Sequence, residues 1–223
     1  TAENAVWSYE EPYEGSGAIK GRVAFYAERM DAIFDEGADA AQAARAARAA
    51  FTQIRALDAV MSDYRPDSEL SRLSASHATW TPVSSELFAV LARALDVARA
   101  SDGAFDPTVG PLTSLWRETR RTTRAPDAQS IAAARARVGW RLLALDPARR
   151  AVRLGTSGMR LDLGGIAKGY ILQQALSALA AHGVTRALLE AGGDIVVGDA
   201  PPGKTGWRID VPHADRTFAA RAA

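Results

Sequence analysis

Apolar residues fall at helical spacing over two long stretches of the chain. Across residues 38–61, Ala47, Ala50, Phe51, Ile54, Leu57 and Met61 share one face, which predicts a long alanine-rich helix packed broadly on a sheet. From about residue 84, Leu87, Val90, Leu91, Ala94, Leu95 and Ala98 make a second stripe, with Glu86 in the first turn and Asp102 and Gly103 as the stop. Further helices are expected over 127–138 and 166–181, the latter closed by Gly183. Shorter runs predict strands at 22–27, 142–145, 151–154, 159–163, 186–190, 194–197 and 206–210. The pair split by Asp146 and Pro147 reads as a hairpin. Helices and hairpins together predict an α+β fold, with mixed, largely antiparallel sheets packed against long helices.

The remaining stretches break these periods. Residues 1–18 are polar and predict a loose approach to the fold, and 117–126 reads as a basic linker. Pro66 interrupts the segment 61–73, and Asp67 is the expected N-cap of a short helix through Leu73. Residues 103–112 are too rich in Gly and Pro for regular structure. Three irregular loops, 61–73, 103–112 and 162–170, thus border long elements. Loops held by a rigid scaffold are where function concentrates.

Composition narrows the chemistry. With 223 residues, 48% of them hydrophobic, the chain can bury a substantial core. A formal net charge of +1 gives no footprint for nucleic acid, and no apolar run reaches the length of a membrane span. Cysteine is absent, which removes thiolate catalysis and zinc–thiolate sites. His77, His182 and His213 form no ligand-spaced pair, so a metal acting here would take oxygen ligands, as Mg²⁺ or Ca²⁺ does.

The most informative turn is Asp162-Leu163-Gly164-Gly165-Ile166-Ala167-Lys168, where a predicted strand runs into a helix. Two glycines allow a sharp turn and a close approach by a ligand. The helix N-terminus offers amide N–H groups to an anion. Lys168 stands in its first turn and is one of three lysines among the 27 Lys and Arg residues. The alternative is an ordinary strand-to-helix connection with a solvated lysine. Neither G-x-G-x-x-G nor a P-loop is present.

Four segments in order carry a family resemblance. They are M-S-D-Y-R-P-D-S-E-L-S-R-L at 61–73, G-A-F-D-P-T-V-G-P-L-T-S-L-W at 103–116, L-D-L-G-G-I-A-K-G-Y at 161–170 and E-A-G-G-D-I at 190–195. Together the chain resembles the FAD:protein FMN transferases, the ApbE-like flavin transferases. That resemblance implies an ApbE-like fold forming a single domain over 1–223, incomplete at its C-terminal side relative to the family. It implies a Mg²⁺-dependent transfer of FMN from FAD to a Thr or Ser hydroxyl of a target protein, with release of AMP. The alternatives are a flavin-binding module without turnover and a Mg²⁺-dependent FAD pyrophosphatase.

By the same resemblance, Tyr64, Ala104, Phe105, Asp106, Asp162, Gly164 and Gly165 are expected at the flavin dinucleotide. Asp162 and Lys168 are the candidate catalytic residues, and the Gly165 carbonyl is a candidate metal ligand. For Tyr64 the alternative role is covering a helix end, and for Asp106 it is capping a turn. Asp194 is expected to be structural. The family acts mainly on envelope redox proteins, so a periplasmic or cell-envelope location is implied, although no signal segment is visible in 1–223.

Two departures from the family pattern are expected to matter. A Met-Gly-Thr triplet that borders the flavin is missing, with Gly17-Ala18-Ile19-Lys20-Gly21 in its place. The late acidic D-x-x-x-T metal motif does not occur before Ala223, so the side-chain ligands for Mg²⁺ are expected to be absent.

Overall fold

A computed structural model describes residues 7–10, 21–25, 38–200 and 203–209. Helix α1 (Ala38–Met61) lies along α6 (Ala167–Ala181), and this pair forms the body of the molecule. The inward face of α1 is the predicted one, with Ala47, Ala50, Phe51, Ile54, Leu57 and Met61 all buried, but it packs on α6 and not broadly on a sheet as predicted. Ile171, Leu172, Ala175 and Leu179 of α6 meet the same core. Each large side chain fully buried there stabilises the fold by roughly 1.5–3 kcal/mol. Gly183 ends α6 at φ +80, the left-handed conformation expected after a helix.

A four-stranded sheet runs in the order β1 (Trp7–Glu10), β2 (Gly21–Phe25), β6 (Ala187–Ala191), β7 (Asp194–Val197). Every pairing is antiparallel, with Val23 opposite Leu189 and Leu189 opposite Val196. Residues 7–10 are therefore a strand and not part of a loose approach. A second sheet places β5 (Ala151–Leu154) between β3 (Thr81–Pro82) and β4 (Leu143–Asp146), again antiparallel. The β4–β5 hairpin is the one read from sequence. The architecture is α+β.

Helix α2 (Glu69–Ala75) is capped by Ser68 rather than Asp67. Arg65 takes the Asp67 carboxylate with two nitrogens, at 2.9 and 3.3 Å. The fully buried Ser68 hydroxyl instead accepts from Ser71 N–H at 3.0 Å and donates to the Ser62 carbonyl at 2.5 Å. Helix α3 (Ser85–Ala100) buries the whole predicted stripe, from Leu87 to Ala98. Ser84 caps it and also donates its N–H to Glu69 at 2.6 Å, which ties α2 to α3.

Three further expectations fail. Helix α4 (Gly110–Thr122) occupies much of the predicted loop and linker. Pro111 stands in its first turn, where a missing N–H costs nothing, and Glu118 pairs with Arg121 one turn on. Helix α5 (Ala128–Arg135), capped by Asp127, is shorter than predicted. Residues 206–209 form no strand, and Asp210 lies outside the described residues. The predicted strand 22–27 is β2 as far as Phe25, with its last two residues outside the described set.

Candidate functional site

Among the described residues, the segment 159–163 has the alternation of a strand but joins neither sheet, and Arg160 makes only an isolated parallel bridge to Val109. Met159, Leu161 and Leu163 are buried, while Arg160 and Asp162 point away from the core. Its backbone bonds go to a loop and to the ends of two helices instead. Asp162 N–H donates to the Pro107 carbonyl at 2.9 Å, Gly110 N–H donates to the Arg160 carbonyl at 3.2 Å, and Leu161 N–H donates to Ser74 Oγ at 3.1 Å. A Cβ at Gly110 would stand 2.5 Å from that Arg160 oxygen, so glycine is required for the approach. These bonds fasten together the loops that carry 61–73, 103–112 and 162–170.

Where the loops meet, a cavity of about 240 Å³ opens. Met61, Leu163 and Ile171 form its apolar wall, and Tyr64, Gly164 and Lys168 stand around it. Tyr64 is half exposed, as a ring that covers no core would be. Asp58 also reaches this cavity; it is 2% exposed and lies 3.5 Å from Arg65. Asp63 borders a second cavity of about 390 Å³ as well, which holds Arg137 and Arg160.

Arg117, on α4, links three of these groups. Its Nη1 is 2.6 Å from Asp63 Oδ2, its Nη2 donates to Asp162 Oδ2 at 3.2 Å, and its guanidinium carbon lies 4.1 Å from the centre of the Tyr64 ring. Burial pushes the Asp63 carboxyl above its ordinary range; the Arg117 hydrogen bond opposes this and the nearby Asp162 charge adds to it. Burial also disfavours the Arg117 charge, yet its hydrogen bond to Asp63 and the charges of Asp63, Tyr64 and Asp162 outweigh that and hold it above its usual value. Sequence reading missed Arg117 by placing it in a linker. The signal was available in Gly110-Pro111 as a helix start and in the Glu118–Arg121 pair.

The predicted site residues fall into two sets. Tyr64, Asp162, Gly164 and Lys168 gather at or beside the first cavity. Asp162 also accepts from Gly164 N–H at 2.9 Å, which shapes the turn. Lys168 forms an ion pair with Asp194, so the hairpin 190–195 reaches the same turn. Ala104, Phe105 and Asp106 do not line this cavity. The Phe105 ring lies over Gly165, where a Cβ would stand 3.2 Å from ring carbon Cε2. Both oxygens of Asp106 are occupied, one by Thr108 N–H and hydroxyl at 2.8 and 2.6 Å, the other by Trp140 N–H at 3.0 Å. Asp106 organises its own loop.

Among the described residues, no group of three or more His, Cys, Asp or Glu side chains converges as a metal site. Asp162 is held by Gly164 and Arg117, and the Gly165 carbonyl alone is too few oxygens for Mg²⁺. The described residues do not fit that ion. No described helix is long and apolar enough to cross a membrane.

The chain is similar to known proteins in sequence and in fold. The FAD:protein FMN transferase of Treponema pallidum (strain Nichols) is 35% identical over 162 residues, which cover 70% of this chain and 45% of that protein. The FAD:protein FMN transferase of Klebsiella pneumoniae (strain 342) is 30% identical over 198 residues, covering 83% and 55%. This chain thus spans about half the length of these curated relatives. Among solved structures, the flavin transferase ApbE from Vibrio cholerae superposes with a TM-score of 0.74 at 22% identity, over 93% of this chain and 64% of that one. The ApbE protein of Thermotoga maritima gives 0.73 at 26%, over 90% and 62%.

Residues 1–36 match a domain of unknown function (DUF427). The stretch 17–21, where the Met-Gly-Thr triplet is missing, lies in the part matched by that domain alone. The ApbE family model matches residues 23–222. The chain belongs to the ApbE family.

Proposed function

We propose that this chain forms the flavin-binding part of an FAD:protein FMN transferase, which moves FMN from FAD to a Thr or Ser hydroxyl of a target protein and releases AMP. The supporting observation is the cavity in which half-exposed Tyr64 faces the Gly164 turn and Lys168. An aromatic ring beside an apolar wall suits a planar ligand, which can stack on the face of Tyr64 that Arg117 does not cover. The adjoining helix end and lysine suit a negatively charged linker. Transfer between phosphates and hydroxyls relies on positioning and electrostatics, so it needs no nucleophile from the protein. A cell-envelope location belongs to the same reading.

A second reading, flavin binding without turnover, is favoured by the lack of a converged metal site among the described residues. One experiment separates the two. The chain is incubated with FAD, Mg²⁺ and a threonine-bearing acceptor protein, then acceptor mass and free AMP are measured. Transfer gives AMP together with an FMN adduct. AMP with free FMN means hydrolysis, and bound but intact FAD means a binding module. Failure to bind FAD at all contradicts both readings.

A further inference from the structure

We infer that Arg117 is a positioning residue for a diphosphate-bearing ligand: it offsets one of the two charges of the Asp63 and Asp162 carboxylates beside the cavity and occupies one face of Tyr64, leaving the other for a planar ring. The inference rests on the flavin-site reading and adds a residue to it.

Charge around the cavity is finely divided. Asp58, Asp63, Asp162 and Asp194 are matched by Arg65, Arg117 and Lys168, and each cation is already paired to at least one of the carboxylates. Arg65 is further shared with Asp67. Arg117 alone serves two of the four, at 2.6 and 3.2 Å. Without it, four carboxylates would face two cations, and a diphosphate would meet like charge on entry. Lys168 pairs with Asp194 and not with Asp63 or Asp162.

The choice of arginine follows from shape. A planar guanidinium can hold two carboxylates from different loops and still lie flat on an aromatic ring, which a lysine ammonium cannot do. With its carbon 4.1 Å from the ring centre, Arg117 covers that face of Tyr64. A stacking ligand must then use the opposite face.

A role confined to holding loops together would affect all ligands alike, so the test compares probes with and without phosphate. Dissociation constants of FAD, ADP and riboflavin are measured for the 223-residue chain in EDTA, which keeps FAD intact. Arg117→Gln should weaken FAD and ADP by about tenfold or more while riboflavin changes by less than about twofold. Removing the excess charge as well, in Asp63→Asn/Arg117→Gln, should bring FAD back to within about threefold of wild type. Asp63→Asn alone should tighten FAD and ADP by about threefold, and this arm stands even where Arg117→Gln fails to fold.

Equal losses for FAD and riboflavin, no loss for FAD, no recovery in the double variant, or no tightening in Asp63→Asn would each overturn the inference. If the wild-type chain binds none of the three probes, the flavin-site reading fails first.

Discussion

The two glycine pairs of this chain look alike in sequence and act through opposite physics. Gly192 and Gly193 join β6 to β7 with φ of +59 and +94, conformations that side chains other than glycine's rarely adopt. Around Gly193 there is open space, and nothing stands within 4 Å of where a Cβ would sit. Gly164 and Gly165 have no positive φ. Their neighbours are close instead, with Asp162 Oδ1 at 3.1 Å and the Phe105 ring at 3.2 Å from a built Cβ. One pair is glycine for its backbone, the other for its missing side chain. The turn at 164–165 is therefore the one shaped by close packing of its own neighbours, Asp162 and Phe105.

Substitutions separate the two causes. Gly193→Ala should destabilise most, by about 1–2 kcal/mol in urea melts, since alanine must hold a strained φ. Gly192→Ala should cost about 1 kcal/mol and Gly192→Asn clearly less, because asparagine tolerates the left-handed region that φ +59 represents. Gly165→Ala should cost less than about 1 kcal/mol, with the Phe105 ring giving way by a few tenths of an ångström. A Gly165→Ala chain destabilised as much as Gly193→Ala would break the contrast.

The smallest expected effect is a pH dependence at Asp63, next to the same turn. Burial raises its carboxyl above the ordinary range in the folded chain. The folded state therefore holds the proton more tightly than the unfolded one. The associated stability is full below the unfolded value and is lost as pH rises through the folded value. Asp63→Asn removes this loss. The stability of Asp63→Asn relative to wild type should rise with pH through the carboxylate range and then level off. A relative stability that falls over that range would contradict the direction of the shift.

Much of the scaffold was legible because it depends on local period. The stripes of α1 and α3 appear in sequence at the positions that are buried. The 143–154 hairpin and the Gly183 stop rest on equally local signals. Part of what failed depends on distant partners. The alternation at 159–163 was visible, but its hydrogen-bond partners are Pro107, Gly110 and Ser74, which no period reveals. Asp67 is a good cap by type and loses that role only because Arg65 captures it.

The candidate site shows the same division. Tyr64, Asp162, Gly164 and Lys168 stood out as loop residues and do gather. Asp106 stood out equally and turns inward to bond Thr108 and Trp140. Arg117 stayed hidden because its partners Asp63, Tyr64 and Asp162 all lie far from it in sequence, Asp162 by 45 residues, and its importance comes from those pairings.

The proposed function requires a flavin ring to stack on Tyr64 beside the Gly164 turn. Titration of FAD into the wild-type chain and into Tyr64→Ala, followed by flavin fluorescence, tests it most directly. Saturable quenching in the wild type, weakened about tenfold or more in a Tyr64→Ala chain that melts normally, is the predicted result. Identical binding curves for the two chains, or no saturation in either, would contradict it.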